Sequence, residues 1–273
     1  MKFLLSLLLS FSFSAQAYLL GYDTIMSRTA KNHGRGGYQI QQVVQWKNGE
    51  GVPFEILETW DVLSESKMRL SLQGLGRLKG HVNGQFLYDG NRRLFRNENG
   101  QTVAQKLPAT FSPVFFHFRN SKRMRERLVA LKMAPRKSLE DRAPLNANSE
   151  APTATPQDFL SLQRVGGVIT YGIGDQGQPS LFIEQDQFVV TQINFPSGPS
   201  VVATGYKENS GGMFYPQELT YSWADQKISV TLQKVLFLGR SPKANLTDLD
   251  KDSRPLEIPA EDSALRDFYK IFR

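Results

Sequence analysis

The chain of 273 residues contains no cysteine. Thiol catalysis, cysteine-ligated metals and disulfides are therefore excluded, and so is an acylated N-terminal cysteine that would anchor a lipoprotein. Histidine is scarce as well, because only His33, His81 and His117 occur, far apart and without a partner at metal-ligand spacing. The sequence therefore predicts no metal and no other cofactor.

Catalytic motifs are also missing: the chain has no G-x-S-x-G elbow, no P-loop and no zincin spacing. The segment 172–177 matches the dinucleotide fingerprint G-x-G-x-x-G. That chemistry requires a helix next, whereas Pro179 and a strand-like segment follow, so a glycine-rich turn explains the match better. We therefore predict that the protein is not an enzyme; a hydrolase is the third alternative, because no acid/base set can be named.

The chain has a single long hydrophobic run, and it lies at the start. Lys2 precedes the apolar segment 3–13, and Ala15 and Ala17 supply the small residues that signal peptidase needs. The run is shorter than the roughly 20 apolar residues of a membrane-spanning helix. The sequence thus predicts a secretory signal peptide at residues 1–17, cleavage after Ala17 and a periplasmic protein.

Positive charge exceeds negative charge, with a formal net charge of +7 at pH 7. Such a surplus suits an anionic partner, for example phospholipid headgroups, or serves solubility alone. We expect a monomer and, in an exported protein, no binding of nucleic acid. Basic residues are densest in a predicted helix that Ser121 caps and that runs to Met133, next to several phenylalanines. This pattern is typical of a helix on an anionic membrane or of a solvated helix face. The predicted anionic-partner contacts are Lys122, Arg123, Arg125 and Arg127.

Short strands follow one another at a spacing of about ten residues, separated by turns rather than by helices. The clearest is 67–73, where Met68, Leu70 and Leu72 alternate with polar residues. This pattern predicts a mainly β (α+β) fold: a curved antiparallel sheet or incomplete β-barrel, with a few helices packed on or plugging its concave face.

We expect a single β domain at residues 18–239 after the signal peptide, with a flexible loop at about 134–157 that is rich in proline. Thr155 and Pro156 could open a short helix through Gln163. Residues 240–273 are predicted to form a polar C-terminal extension with a short amphipathic helix.

Two segments resemble the LolA/LolB-like family of periplasmic lipoprotein carriers. The first is 58–62, which leads into 67–71. The second is 214–221, which leads into 227–230; in this segment a proline precedes a strand, and a hairpin connects that strand to a last one. The resemblance implies an incomplete β-barrel with a mostly apolar cavity for acyl chains between the concave sheet face and its helices.

The apolar sheet face is the predicted ligand site, although the same residues could be an ordinary core. Its predicted lining consists of Tyr38, Ile40, Val44, Trp46, Met68, Leu70 and Leu72. The leading hypothesis is a non-enzymatic periplasmic carrier or binder of lipid or of lipoprotein acyl chains. The alternative is an envelope protein that docks a partner, an anionic membrane or peptidoglycan through its basic helix.

Overall fold

The computed structural model describes residues 20–47, 51–140, 158–175, 177–240, 249–250, 255–256, 258 and 262–273. The predicted signal peptide with Ala15 and Ala17, and residues 141–157 of the predicted loop, lie outside the described residues. Within those described ranges, no helix is both long and apolar enough to cross a membrane.

Strands dominate the described chain, which contains fifteen of them and three α-helices. The strands are β1 Gly37–Lys47, β2 Pro53–Ser64, β3 Lys67–Leu75, β4 Asn83–Asp89, β5 Arg92–Arg96, β6 Thr102–Lys106, β7 Leu160–Val165, β8 Val168–Gly174, β9 Pro179–Glu184, β10 Val190–Asn194, β11 Ser200–Thr204, β12 Lys207–Asn209, β13 Met213–Tyr215, β14 Glu218–Trp223 and β15 Gln226–Gly239. The helices are α1 Tyr22–Asn32, α2 Ser121–Ala130 and α3 Ser263–Phe272.

Thirteen strands form one antiparallel sheet in the order β6-β5-β4-β3-β2-β1-β15-β14-β11-β10-β9-β8-β7, and β12 pairs with β13 separately. Two meanders thus meet where β1 pairs with β15, and the sheet curves without closing. The predicted mainly β fold with a curved antiparallel sheet and a few helices is confirmed.

Polar and apolar residues alternate along the strands, so the sheet has one apolar side, and the helices cover that side. In β3, Met68, Leu70 and Leu72 are buried, while Lys67 and Arg69 are only half-buried. Because successive side chains of a strand point to opposite faces, each strand contributes one apolar row. We call the helix-covered side the inner face. In β1–β4 its apolar members include Tyr38, Ile40, Val44, Ile56, Trp60, Val62, Met68, Leu70, Leu72, Phe86 and Tyr88.

Helices α1 and α2 pack in the same core as the inner face through residues such as Ile25, Met26, Met124 and Leu128. Asn120 caps α2 instead of the predicted Ser121, since its side chain accepts a hydrogen bond from the backbone N–H of Arg123 at 3.1 Å. The helix ends at Ala130, three residues earlier than the sequence predicts.

The chain after β15 crosses from the outer to the inner side of the sheet. On the outer side, Leu249 packs against Leu87, and Asp250 accepts a hydrogen bond of 2.8 Å from Gln85. Leu256 then reaches Gly84 so closely that a Cβ there would lie 3.3 Å from the Leu256 Cβ. Helix α3 follows and packs in the same core as the inner face through Leu265, Phe268 and Phe272.

One local prediction is wrong: residues 160–163 belong to strand β7, not to a short helix. Leu160 pairs with Ile173 and Leu162 with Tyr171, so β8 supplies the hydrogen bonds that a helix would have made internally. A strand that pairs at the edge of a sheet overrides the weak helix signal of the preceding Thr-Pro pair.

Candidate ligand-binding site

The predicted lining residues all lie on the inner face, where cross-strand pairing brings them together. Tyr38 pairs with Val62, which in turn pairs with Met68, and Ile40 pairs with Trp60. Six of the seven are buried in the core, with exposures of 0–2%. Trp46 is half-buried and packs against Phe54 with ring centroids 5.5 Å apart. In this structure the apolar face is therefore a packed core, and ligand contact by these residues stays a prediction.

One acidic side chain interrupts this apolar face. Glu58 lies between Ile56 and Trp60 in the inner row of β2 and is fully buried. Its carboxylate accepts hydrogen bonds from Gln42 Nε2 at 2.6 Å and from the indole N–H of Trp60 at 3.1 Å. Both donors come from the sheet, so strands β1 and β2 supply part of the hydrogen bonding that orients the carboxylate.

Arg273, directly after α3, supplies the cation for Glu58. Its Nε donates to Glu58 Oε1 at 3.0 Å and its Nη2 to Oε2 at 3.1 Å, and both side chains are fully buried. Nη1 donates to the Tyr221 hydroxyl at 3.1 Å. Burial lowers the pKa of Arg273, but Glu58 and Tyr221 raise it more, so the pKa lies above its usual value.

A second arginine holds the backbone of α3. Nη1 of Arg93 donates to the main-chain oxygens of Tyr269 at 2.9 Å and of Arg273 at 2.7 Å. The guanidinium carbon lies 4.9 Å from the ring centroid of Phe86 and 5.7 Å from that of Phe95. These contacts satisfy carbonyl oxygens at the end of the helix and attach it to β4 and β5.

A groove of about 430 Å³ opens between α3 and the β4–β5 hairpin. Four apolar side chains form part of its wall, and basic side chains stand beside them. The apolar members are Phe86, Phe95, Leu256 and Ile258, and the basic members are Arg93, Arg96, Arg266 and Lys270, with Glu98 as the acidic one. An apolar channel with cationic sides can accommodate the chain and the headgroup of an amphiphile.

The basic residues of α2 do not share one surface. Lys122 and Arg123 are exposed, and Arg123 forms an ion pair with Glu65 at 2.8 Å. Arg125 is buried against α1, where it pairs with Asp23 at 2.5 Å. Arg127 is half-buried, and burial lowers its pKa. With Arg123 it lines a cavity of about 470 Å³ whose apolar members include Phe111 and Phe118.

Two of the three histidines are buried close to each other. The Nδ1 of His33 lies 2.5 Å from the carbonyl oxygen of Phe118, so this nitrogen donates. Burial lowers the pKa of His33 to about 4, and burial also lowers that of His117 well below its usual value, with His33 adding to the effect. His117 stacks on Tyr215 at 5.9 Å. Both rings are therefore neutral parts of the core at neutral pH.

No group of three or more potential metal-ligating side chains occurs in the part of the chain that the structure describes. The polar residues that sequence reasoning missed are Glu58, Gln42, Arg93 and Arg273. A signal for Glu58 was present, because it shares the parity of Phe54, Ile56 and Trp60 in β2. An acid in an apolar row predicts a buried partner.

No protein-family model matches the chain, and no curated protein matches it either. Solved structures are similar at the level of architecture. A LolA superfamily protein from Nitrosomonas europaea has a TM-score of 0.47 and 8% identity, covering 80% of this chain and 93% of its own. A putative outer membrane lipoprotein-sorting protein domain from Vibrio parahaemolyticus has a TM-score of 0.48 and 8% identity, covering 82% and 95%. A DUF1329 family protein from Desulfovibrio piger has a TM-score of 0.47 and 8% identity, covering 79% and 91%.

A LolA superfamily protein is thus among the solved structures to which this chain is similar in architecture, in line with the resemblance noted in the sequence. Identity of this size bears on the fold alone, so the function must be argued from the residues of this chain.

Proposed function

We propose that the protein is an exported, non-enzymatic carrier or binder of a lipid or of lipoprotein acyl chains. The observation that carries the proposal is the groove beside α3, where Phe95, Leu256 and Ile258 remain partly accessible next to the buried Phe86 and an extensive apolar inner face. Its volume of about 430 Å³ is within the usual range for small-molecule sites.

The energetics favour a ligand with an apolar chain. Burial of each methylene contributes about 0.8 kcal/mol, so ten buried methylenes contribute roughly 8 kcal/mol before the cost of association. Arg96 and Lys270 beside the groove can meet a polar headgroup at low cost, because they stand at its solvent side. A reaction is not required for this function, which consists of shielding the chain from water.

We also propose that the protein is exported, on the basis of the predicted signal peptide at residues 1–17. A monomeric state and the absence of nucleic acid binding are proposals as well. Contact of α2 with an anionic membrane is compatible with the exposed Lys122 and Arg123. Such contact would bring the bound lipid or acyl chain to a membrane surface.

The experiment is mass spectrometry of an organic extract from protein purified out of periplasm, followed by titration with a fluorescent fatty acid. We expect a stoichiometric lipid and saturable binding. Phe95→Ala should weaken binding, because Phe95 faces the groove, whereas Leu94→Ala on the outer side of the same strand should not. A purified protein that carries no lipid and binds no acyl probe would contradict the proposal.

A further inference from the structure

The carboxylate of Glu58 is a costly feature of an apolar face. A buried charge must be paired, and replacing a buried ion pair by apolar residues often leaves stability unchanged or increases it. Helix α3 already has apolar anchors in the core, since Leu265, Phe268 and Phe272 are exposed by no more than 1%. The helix therefore does not need Glu58 merely to pack against the sheet.

The sheet presents a complete receptor for a cation around Glu58. Gln42 and Trp60 orient the carboxylate, and the Tyr221 hydroxyl adds an acceptor 3.1 Å from Nη1 of Arg273. Aromatic faces close the sides: the guanidinium carbon lies 5.5 Å from the Trp60 ring and 4.8 Å from the Tyr221 ring. A carboxylate between aromatic faces is the arrangement that binds guanidinium and ammonium groups.

The occupant of this receptor has the chemistry of a cationic amphiphile. Arg273 brings the charge, and the adjoining helix brings Phe268 and Phe272, which pack against Tyr221 at 5.1 and 4.9 Å. Helix α3 thus places a cation at Glu58 and an apolar moiety on the neighbouring aromatic side chains.

The groove leads to this receptor. Tyr269 lines the groove and also lies beside Glu58: burial raises the pKa of its hydroxyl above the usual value, and the carboxylate raises it further. Arg93 lines the groove too and binds the main-chain oxygen of Arg273. Tyr269 of α3 therefore connects the groove with the surroundings of Glu58.

We propose that the receptor formed by Glu58, Gln42, Trp60 and Tyr221 binds the guanidinium or ammonium group of an amphiphilic ligand, and that Arg273 is its internal occupant. The ligand displaces α3, places its cation at Glu58 and lays its apolar chain on the inner face. This inference rests on the proposed function and specifies its ligand class as an amphiphile with a cationic group.

Chemical rescue tests the receptor in the full chain. Arg273→Ala removes the guanidinium and leaves Glu58 without it. We expect millimolar ethylguanidinium to raise the Tm of this variant by several degrees, whereas N-ethylurea, which is neutral and of similar shape, should not. The double variant Glu58→Gln/Arg273→Ala is the matched control and should respond equally to both compounds. A folded Arg273→Ala protein without selective rescue overturns the inference.

A second measurement uses the unmodified Arg273 and so does not depend on the folding of that variant. We expect n-dodecylguanidinium, below its micellar concentration, to bind about tenfold more tightly than the neutral N-dodecylurea, a ratio that corresponds to one charge-assisted hydrogen bond. Glu58→Gln should abolish this preference. Because the chain lacks cysteine, thiol labelling of Ala264→Cys on the buried side of α3 reports displacement of the helix. Labelling of Ala264→Cys should become faster when n-dodecylguanidinium is added. The labelling rate of Ala203→Cys in β11 should not change.

The outcomes separate the two proposals. If both probes bind without a preference that depends on Glu58, the cation receptor is refuted while the acyl-binding function stands. If neither probe binds, both proposals are refuted. A preference that depends on Glu58 together with selective labelling of Ala264→Cys supports both.

Discussion

Helix α3 should be as important to stability as an element of the sheet, and Phe268→Ala tests this. The Phe268 side chain is fully buried. Its ring centroid lies 5.1 Å from that of Tyr221 and 6.3 Å from that of Trp223, and the Arg273 guanidinium lies 4.6 Å above it. Truncation removes these contacts and leaves a cavity, because the surrounding strands are fixed by their ladder of hydrogen bonds.

The expected loss is about 3–5 kcal/mol in the free energy of unfolding, the usual cost of truncating a buried phenylalanine. For a protein of this size, 1 kcal/mol lowers Tm by roughly 2–4 °C, so Tm should fall by about 6–20 °C. Urea unfolding and calorimetry measure both quantities. Asp267→Ala, exposed on the neighbouring position of the helix, is the control and should change Tm little. Equal Tm values for the two variants would refute the packing of α3 in the core.

Three further predictions address other parts of the molecule. Because burial lowers the pKa of His33 to about 4, the unfolded chain binds more protons than the folded protein below pH 6.5. Between pH 6.5 and 4, His33 should therefore remove up to about 3 kcal/mol of the free energy of unfolding. His33→Gln should reduce this loss in urea unfolding and leave the part that the buried His117 contributes. Lys122→Glu/Arg123→Glu should weaken cosedimentation with anionic liposomes, by about 1 kcal/mol per removed charge, and unchanged binding would exclude this end of α2 as a membrane contact. Asp250→Ala should cost less than about 1 kcal/mol in urea unfolding, because the Asp250 side chain is mostly exposed and Arg69 keeps its ion pair with Asp61. A loss above about 2 kcal/mol would contradict this.

Local periodicity was sufficient for most of the sheet. Strand β3 begins at the predicted Lys67 and ends at Leu75, two residues beyond the predicted end. In such segments the burial pattern repeats every two residues, which the sequence displays directly. Strands β12 and β13 have three residues each, too few for a period to be visible, so they were missed.

The position of the amphipathic helix could not be inferred in the same way. Its apolar row at Leu265, Phe268, Tyr269 and Phe272 predicted the helix, and these residues are buried in the structure. These apolar residues did not indicate which surface α3 packs against. The helix reaches the inner face only after the chain has passed the outer side of the sheet at Leu249 and Asp250. Amphipathicity indicates that a helix has a partner, but not which one.

In the candidate site, the one acidic residue in the inward apolar row of β2 is more informative than the apolar residues around it. Phe54, Ile56 and Trp60 identify the inner row of β2, and alternation then requires that Glu58 point inward too. An ionised carboxylate in that position is stable only beside a buried cation. The partner, Arg273, is 215 residues away in sequence, so no local pattern could identify it. The inward acid nevertheless predicts that such a cation exists, and in the structure this cation is Arg273.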